Sequence, residues 1–258
     1  MQIKKFSLIT LLFFFNVCFS NEPNQFDKCQ TYLAHSKILI PIKKFMHVVH
    51  TIIKKPLGLS DSIASEEYQQ LANEVKQSLN GPLLTLPPVK TTYTSNFRKK
   101  FFNYETVALT NSEGIFVNET ALQYSPFYGF KRFIMHHEAI HYKYDDSISM
   151  LLCWFSGYYA SRFTISKIFA QNKRTKFFSS IAEILTAIAV SKKYHRYAEH
   201  RADIEGAHAT QCYHCLKEYV TASTDHSEYG YASHSELKSI AKKLKQTNSL
   251  CMHHLQKI

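Results

Sequence analysis

All seven prolines of this 258-residue chain lie in its first half, and the last of them is Pro126. Proline removes a backbone donor and clashes with the preceding helical turn, so a long segment without it can form uninterrupted helices. Apolar residues recur at helical spacing through that segment. We therefore predict helices over about 129–144, 147–170, 176–205, 207–222 and 234–247.

The part of the chain before Pro126 shows other patterns. A helix is predicted from about residue 65, capped by Asp61 or Ser65, because apolar residues then recur every three or four positions. A short strand is predicted over 83–89, and a hairpin over 101–118. Since strands precede a run of helices, the sequence predicts the α+β class, predominantly α-helical, with a small N-terminal β-sheet.

The first twenty residues have the pattern of a secretory signal peptide. Lys4 and Lys5 precede an apolar run over 6–15, and the small residues Cys18 and Ser20 suit a cleavage site before residue 21. The pattern predicts export to the periplasm or cell envelope, as a secreted or membrane-associated protein. An uncleaved anchor is the alternative. Residues 21–64 are then expected to form an N-terminal helical extension.

Export would leave five cysteines in the mature chain, and an oxidising compartment favours disulfides. Cys153 lies in an apolar stretch and is expected to be buried outside any disulfide. The other four leave two interpretations open. Cys212, Cys215 and Cys251 could hold a second, structural zinc ion with a histidine, or they could form disulfides that also use Cys29. Export favours the disulfides.

One short motif predicts a metal site with a general base beside it. The stretch His137–His141 reads HEAIH and matches HExxH. Residues four apart share a helix face, so the imidazoles of His137 and His141 can hold one zinc ion. Glu138 lies beside them and can accept a proton from a zinc-bound water. His136 is adjacent, but only the register of His137 and His141 aligns two ligands. Surface histidines on a helix are the alternative interpretation.

A catalytic zinc needs a third protein ligand and one open position. Glu199 is the candidate, and Asp203 lies one helical turn further, where it could orient a ligand imidazole. The alternative is an exposed helix face on which Arg196, Arg201 and Glu205 form solvent ion pairs.

Together these stretches resemble the zinc endopeptidases that include the CAAX prenyl proteases, HtpX and the mitochondrial Oma-type enzymes. The matching motifs are HExxH at His137–His141 and E-x-x-A-D at 199–203. Upstream, residues 114–122 resemble the edge strand and the NE-x-AL run of the family. Downstream, residues 233–244 resemble its HP-x-x-x-x-R-I segment without the proline. The similarity covers roughly residues 65–247.

The resemblance implies a zincin-like metallopeptidase domain over residues 65–258, with a helical insertion and a cysteine-containing tail at about 207–258. It implies one catalytic Zn²⁺ and a set of functional residues. The metal ligands would be His137, His141 and Glu199, the general base Glu138, and the second catalytic or orienting carboxylate Asp203.

The resemblance also suggests how substrate would bind. The edge strand at 115–118 is expected to bind an extended peptide by strand addition. The developing oxyanion needs a donor beyond the metal, and His234, Tyr142 and Tyr197 are candidates by residue type.

The helical insert between the two motifs, about residues 147–190, contains two apolar blocks. Both are less apolar than the segment of about 20 residues that spans a membrane. We expect a helical hairpin that packs on the core or lies on a membrane surface, with the basic residues Lys173, Arg174 and Lys176 near anionic headgroups. A two-span insertion is the alternative.

The sequence thus predicts a secreted or envelope-associated zinc endopeptidase with a polypeptide substrate. A catalytically degenerate member of the same family, acting as a binding or chaperone-like module, is the alternative. The formal charge of +11 would permit nucleic acid as a partner. However, the chain shows no zinc-finger pair, no RNP-like run and no clustered basic helix, so nucleic-acid binding is not expected. The sequence does not indicate an oligomeric state.

Overall fold

The computed structural model describes most of the chain from residue 58 onward. The described residues are 58–79, 86–95, 107–123, 127–168, 173–225, 231–247 and 249–255, with Val48, Thr51, Lys54, Pro56 and Ser227. The predicted signal peptide lies outside them. The chain divides into two compact units. The sheet unit comprises the described residues up to Asp145 and those from Ala198 onward, and the insert unit comprises the described residues of Asp146–Tyr197.

Helices predominate in the described residues, and a small sheet accompanies them, which confirms the predicted α+β class. In chain order the elements are β1 (Leu59–Ile63), α1 (Glu66–Ser78), β2 (Lys90–Thr92), β3 (Ala108–Asn111), β4 (Gly114–Val117), α2 (Glu119–Gln123), α3 (Tyr128–Tyr144), α4 (Asp146–Ile168), α5 (Lys173–Thr210), α6 (Tyr213–Ala222), α7 (His234–Gln246) and α8 (Met252–Leu255).

Among the described residues, the sheet has four strands in the order β1-β2-β4-β3. β2 and β4 are parallel, and the other two pairs are antiparallel. The predicted hairpin is confirmed as β3 and β4. The prediction that the strand at 115–118 lies at the sheet edge is wrong, because β4 lies between β2 and β3. Ile115, Phe116 and Val117 are all almost fully buried, as is typical of a central strand. The strand at that edge is β3.

Two further strands differ from the sequence prediction. The strand predicted over 83–89 is wrong at 86–89, where the described chain is not a strand, and β2 begins only at Lys90; residues 80–85 lie outside the described part. Pro87 and Pro88 have no backbone N–H to give to a sheet, which explains the later start. Strand β1 was not predicted. Its sequence is polar except at Leu59 and Ile63, so it has no alternating pattern.

Helix α3 lies between two hydrophobic clusters of the sheet unit. On one side Met135 and Ala139 join a cluster with α1 and the sheet. On the other side Phe133 joins a cluster formed with α5, α6 and α7. Burial on both sides fixes the rotation of α3 about its axis, and therefore the direction in which its remaining face points.

Helix α5 does not end where a break was predicted, between residues 205 and 207. It continues through Gly206 to Thr210, and the chain turns at Gln211, whose φ is 44°. The glycine at this position allows α5 to pack closely against α3. A Cβ at Gly206 would lie 3.2 Å from the backbone nitrogen of His137 and 3.4 Å from its Cα. The part of α5 from Ala198 onward can therefore approach α3 at backbone distance.

The described residues of the insert unit are the antiparallel helices α4 and the first part of α5. The Tyr194 hydroxyl donates a hydrogen bond to Asp146, and a Cβ on Gly157 would lie 3.0 Å from the Cα of Ala187. Cys153 is buried and is not part of a disulfide. No described helix combines the length and the apolarity that crossing a bilayer requires.

Candidate metal centre

The two histidines of the HExxH motif face the same point. They lie one turn apart on α3, and their Nε2 atoms are 3.0 Å from each other. Both side chains are largely buried, so neither is a surface histidine. The alternative interpretation of this motif as an exposed helix face is therefore wrong.

Glu199 is brought to the same point by α5. Its Oε2 lies 3.2 Å from His137 Nε2 and 3.4 Å from His141 Nε2. Burial would raise the pKa of Glu199, but hydrogen bonds and charge from the two histidines hold it well below its ordinary value. The structure thus brings together, in one buried cluster, the three ligands predicted from the sequence.

Asp203 holds the imidazole of His137 in place. Its Oδ1 is 2.7 Å from His137 Nδ1, and its Oδ2 accepts the backbone N–H of Ala232 at 2.9 Å. The carboxylate is almost completely buried. Burial alone would lower the pKa of His137, but Asp203 and Glu199 outweigh that effect and hold the pKa well above its usual value.

The neighbouring histidine has a structural role. The ring of His136 is fully buried and bonded at both nitrogens, through Nδ1 to the carbonyl oxygen of Arg132 and through Nε2 to the Ser78 hydroxyl. Burial, with the charge of Arg132, lowers the pKa of His136 to about 3, so the ring is neutral. His136 is not part of the cluster of His137, His141 and Glu199, which agrees with the predicted register of the motif.

The predicted general base, Glu138, is buried on α3 beside the two histidines that are the predicted metal ligands. Its Oε2 accepts a hydrogen bond from the Thr110 hydroxyl at 2.7 Å, and the same hydroxyl lies 2.9 Å from the Glu138 carbonyl oxygen. Thr110 was not predicted as a site residue. It lies on β3, and nothing in its sequence spacing relates it to a residue 28 positions later.

Tyr231 is the second residue that sequence reasoning missed. Its ring stacks on His137 with centroids 6.0 Å apart, and its hydroxyl hydrogen-bonds Glu199. Burial, and then the charges of Glu199 and Glu138, raise its pKa, so the phenol keeps its proton. An uncharged donor therefore lies against the cluster.

Of the three donors expected from residue type, His234 and Tyr142 make their described contacts outside the cluster. His234 Nε2 is 3.3 Å from the Ser223 hydroxyl, at the end of α6. Tyr197 belongs to the insert unit. For Tyr142, burial and then the charge of Asp145 raise the pKa, with no contribution from the cluster.

The C-terminal end of α3 is bound firmly to α5. The Tyr144 hydroxyl donates to Glu205, and the guanidinium carbon of Arg201 lies 3.8 Å from the centre of the Tyr144 ring. Lys143 also reaches Glu205, at 3.3 Å. Arg201 is buried, so the exposed face that was the alternative for this part of α5 is wrong. These contacts fix the two helices that carry the ligands.

The cluster suits a metal ion. A tetrahedral ion with Zn–N and Zn–O distances of about 2.0–2.2 Å separates its ligand atoms by about 3.3–3.5 Å. The three separations here are 3.0, 3.2 and 3.4 Å. With Nδ1–H of His137 donated to Asp203, its Nε2 faces the Glu199 carboxylate oxygen at 3.2 Å, so that a proton or a metal ion can lie between them. His137, His141 and Glu199 could therefore bind a metal ion.

Comparison of the chain with protein-family models, with curated proteins and with solved structures finds no match. The geometry of the cluster and the residues around it are therefore the observations from which a function can be inferred.

Proposed function

We propose that this protein is a zinc-dependent endopeptidase with a zincin-like domain. The observation that carries the proposal is the buried cluster of His137, His141 and Glu199 with Glu138 beside it. Two imidazoles and one carboxylate leave a fourth position for water or substrate, as catalytic zinc sites do. A site that only binds metal would have no use for the buried carboxylate of Glu138.

Each residue around the cluster has one role in the proposed mechanism. A zinc ion held there would supply Lewis acidity and lower the pKa of a bound water towards about 7. Glu138 takes a proton from the attacking water and delivers it to the leaving amine as the peptide C–N bond breaks. The Thr110 hydroxyl holds the Glu138 carboxylate in position. Asp203 keeps the proton of His137 on Nδ1, so that Nε2 remains a ligand.

A polypeptide substrate would bind along strand β3. This strand lies at the sheet edge, among the described residues, and carries Thr110, which contacts Glu138. An extended peptide that added to this edge would run past the general base. This assignment replaces the strand at 115–118 that the sequence suggested.

The proposal is tested by removing and restoring the metal. We expect the purified chain to cleave casein or a mixed peptide library, to lose that activity on dialysis against a chelator, and to regain it with zinc. Mass spectrometry of the products would locate the cleaved bonds. A metal-loaded protein that cleaves no peptide would contradict the proposal and favour the alternative, a catalytically degenerate binding module.

Tyr231 is proposed as the donor to the developing oxyanion. Replacing Tyr231 by phenylalanine removes only the hydroxyl, so the expected result is a decrease in kcat of about 10²–10³-fold with metal content unchanged. Kinetics of the variant would be measured beside those of Tyr142→Phe, which should match the wild type. If Tyr231→Phe loses metal and keeps kcat in the metal-saturated form, the hydroxyl only positions Glu199.

Localisation in the cell envelope is proposed from the signal-peptide pattern, and membrane-surface contact from the insert. Large apolar residues recur along one side of α5 and are 46–68% exposed, namely Phe177, Phe178, Ile184, Leu185 and Ile188. The sequence places the basic residues Lys173, Arg174 and Lys176 at the start of the same helix. Basic residues near a membrane surface favour anionic lipid.

We expect the chain to float with anionic vesicles and to bind neutral vesicles more weakly. Replacing Phe178 and Leu185 together by serine should release it from the vesicles. The pair Ser179→Ala and Lys192→Gln, on the same helix, serves as a control for general changes in α5. Equal binding of wild type and the double serine variant would rule out this surface.

A further inference from the structure

A second cluster of potential ligands lies in the sheet unit, apart from the HExxH centre. It consists of Cys212, Cys215, Cys251 and His254, all buried, with one ligand atom from each residue within 4.8 Å of every other. Cys212 and Cys215 lie at the start of α6. Cys251 and His254 lie at α8, in the last described segment, residues 249–255, which we call the C-terminal tail. None of the three cysteines forms a disulfide.

We propose that these four residues form a closed, structural zinc site that fixes the C-terminal tail to the helix carrying the HExxH motif. Three sulfurs and one imidazole make a Cys₃His set, which zinc prefers in structural sites. Both ligand pairs have the short spacing that such sites use, Cys-x-x-Cys at the start of a helix and Cys-x-x-His on the tail.

The distances fit one tetrahedral ion. With Zn–S of about 2.3 Å and Zn–N of about 2.0–2.1 Å, two sulfur ligands lie about 3.8 Å apart, and a sulfur and a nitrogen about 3.5 Å apart. Here Cys215 Sγ and Cys251 Sγ are separated by 3.5 Å. His254 Nδ1 lies 3.5, 3.8 and 3.1 Å from the sulfurs of Cys212, Cys215 and Cys251.

The groups behind the ligands support the same assignment. His254 Nε2 lies 3.3 Å from Glu218 Oε1, so a proton on Nε2 leaves the Nδ1 lone pair directed at the three sulfurs. Ligating histidines commonly use their second nitrogen in this way. Arg132 Nη1 lies 3.9 Å from Cys215 Sγ, where its charge offsets the net negative charge of three thiolates on one divalent ion.

A disulfide explains the cluster less well. It would use two of the three sulfurs and leave the third, together with the Nδ1 of His254, buried without a covalent or metal partner. A disulfide bond also requires about 2.05 Å between the sulfurs, shorter than the 3.5 Å between Cys215 and Cys251. Cys29, the remaining partner suggested by the sequence, lies outside the described residues.

The position of the site explains what the ion would do. Glu218, which contacts His254 through one oxygen, accepts the backbone N–H of Gly129 at 2.7 Å through the other. Gly129 is in the first turn of α3, and a Cβ there would lie 2.4 Å from the Cα of Cys215. Tyr128 stacks on His253 with ring centroids 4.0 Å apart. The ion would thus bind the tail, α6 and the start of α3 together.

The experiment counts metal ions in the full-length protein. We expect two zinc ions per chain in the wild type, and one in a double variant with Cys212→Ser and Cys215→Ser. Cys153→Ser is the matched control, because that cysteine is buried elsewhere, and it should keep two. X-ray absorption at the zinc edge should show sulfur neighbours at about 2.3 Å in the wild type.

His141→Ala separates this site from the proposed active site. That variant should retain one zinc ion, now with mostly sulfur ligands. A wild-type chain with a single, sulfur-ligated zinc would therefore support this site while contradicting the HExxH centre. If the double variant does not fold, the wild type itself gives the answer, since a thiol-specific mercurial should release one zinc ion. Zinc without sulfur neighbours, or a disulfide detected by intact mass among these cysteines, would overturn the proposal.

Discussion

Replacing Glu138 by glutamine is expected to reduce peptide cleavage by about 10²–10⁴-fold, the usual contribution of a positioned general base. Glutamine has the same shape but cannot accept the proton of the attacking water. The Thr110 hydroxyl can still donate to the amide oxygen, so the fold should be kept. Because Glu138 is not among the ligands, the metal content should not change. The measurements are kcat/KM on a cleaved peptide and metal per chain.

Glu205→Gln is the matched control for this variant. Glu205 is also a hydrogen-bonded glutamate on a ligand-bearing helix, but it contacts Tyr144 and Lys143 and not the cluster. Its activity should remain near that of the wild type. Cleavage by pure Glu138→Gln protein at more than a tenth of the wild-type rate would exclude Glu138 as the base.

Replacing Asp203 by asparagine is expected to weaken metal binding by about 10–100-fold, as loss of a residue behind a ligand histidine does. Asp203 accepts from two donors, His137 Nδ1–H and the Ala232 N–H. Asparagine has one oxygen, so its amide N–H₂ must face one of these donors. The N–H that is left without an acceptor in this buried position should also lower the free energy of unfolding by about 1–3 kcal/mol.

Competition with a fluorescent zinc chelator would measure the affinity, and urea unfolding would measure stability. Asp225→Asn provides the control, because Asp225 also accepts two N–H groups, both of them from the backbone (Ser227 and His234), but is exposed. It should leave zinc affinity unchanged. Unaltered affinity in Asp203→Asn would mean that His137 is oriented by packing alone.

The helices could be predicted well because their signals are local. The absence of proline after Pro126 and the apolar periodicity gave α3, α4 and α7 to within about two residues. Helix α6 ends where it was predicted to end but begins six residues later, at Tyr213 instead of 207, because α5 continues to Thr210. The break predicted between 205 and 207 falls at Gly206, and glycine near a helix end usually marks a cap. Here its role depends on His137, a residue far away in the sequence. The order of strands in the sheet, and so the position of the edge, likewise depends on pairing between distant segments.

The residues of the candidate metal cluster could be predicted for the same reason. His137 and His141, and Glu199 and Asp203, are pairs whose spacing places them on one helix face. Thr110 and Tyr231 could not be predicted, since one lies on a strand and the other in a connection before α7. No periodicity relates either of them to the cluster. The cysteine cluster falls between these cases, because the sequence suggested a zinc site of Cys212, Cys215 and Cys251 with a histidine but could not decide between it and disulfides.

Gly206 also affects how readily the site can change by mutation. Alanine in place of glycine within a helix usually stabilises it by about 1 kcal/mol. At this position any side chain would push on the backbone of His137, 3.2 Å away, and displace a ligand by a few tenths of an ångström. The chain therefore gives up helix stability to keep two backbones close together. A search for more stable variants that ranks substitutions by helix propensity alone would select the change that disturbs the centre most directly.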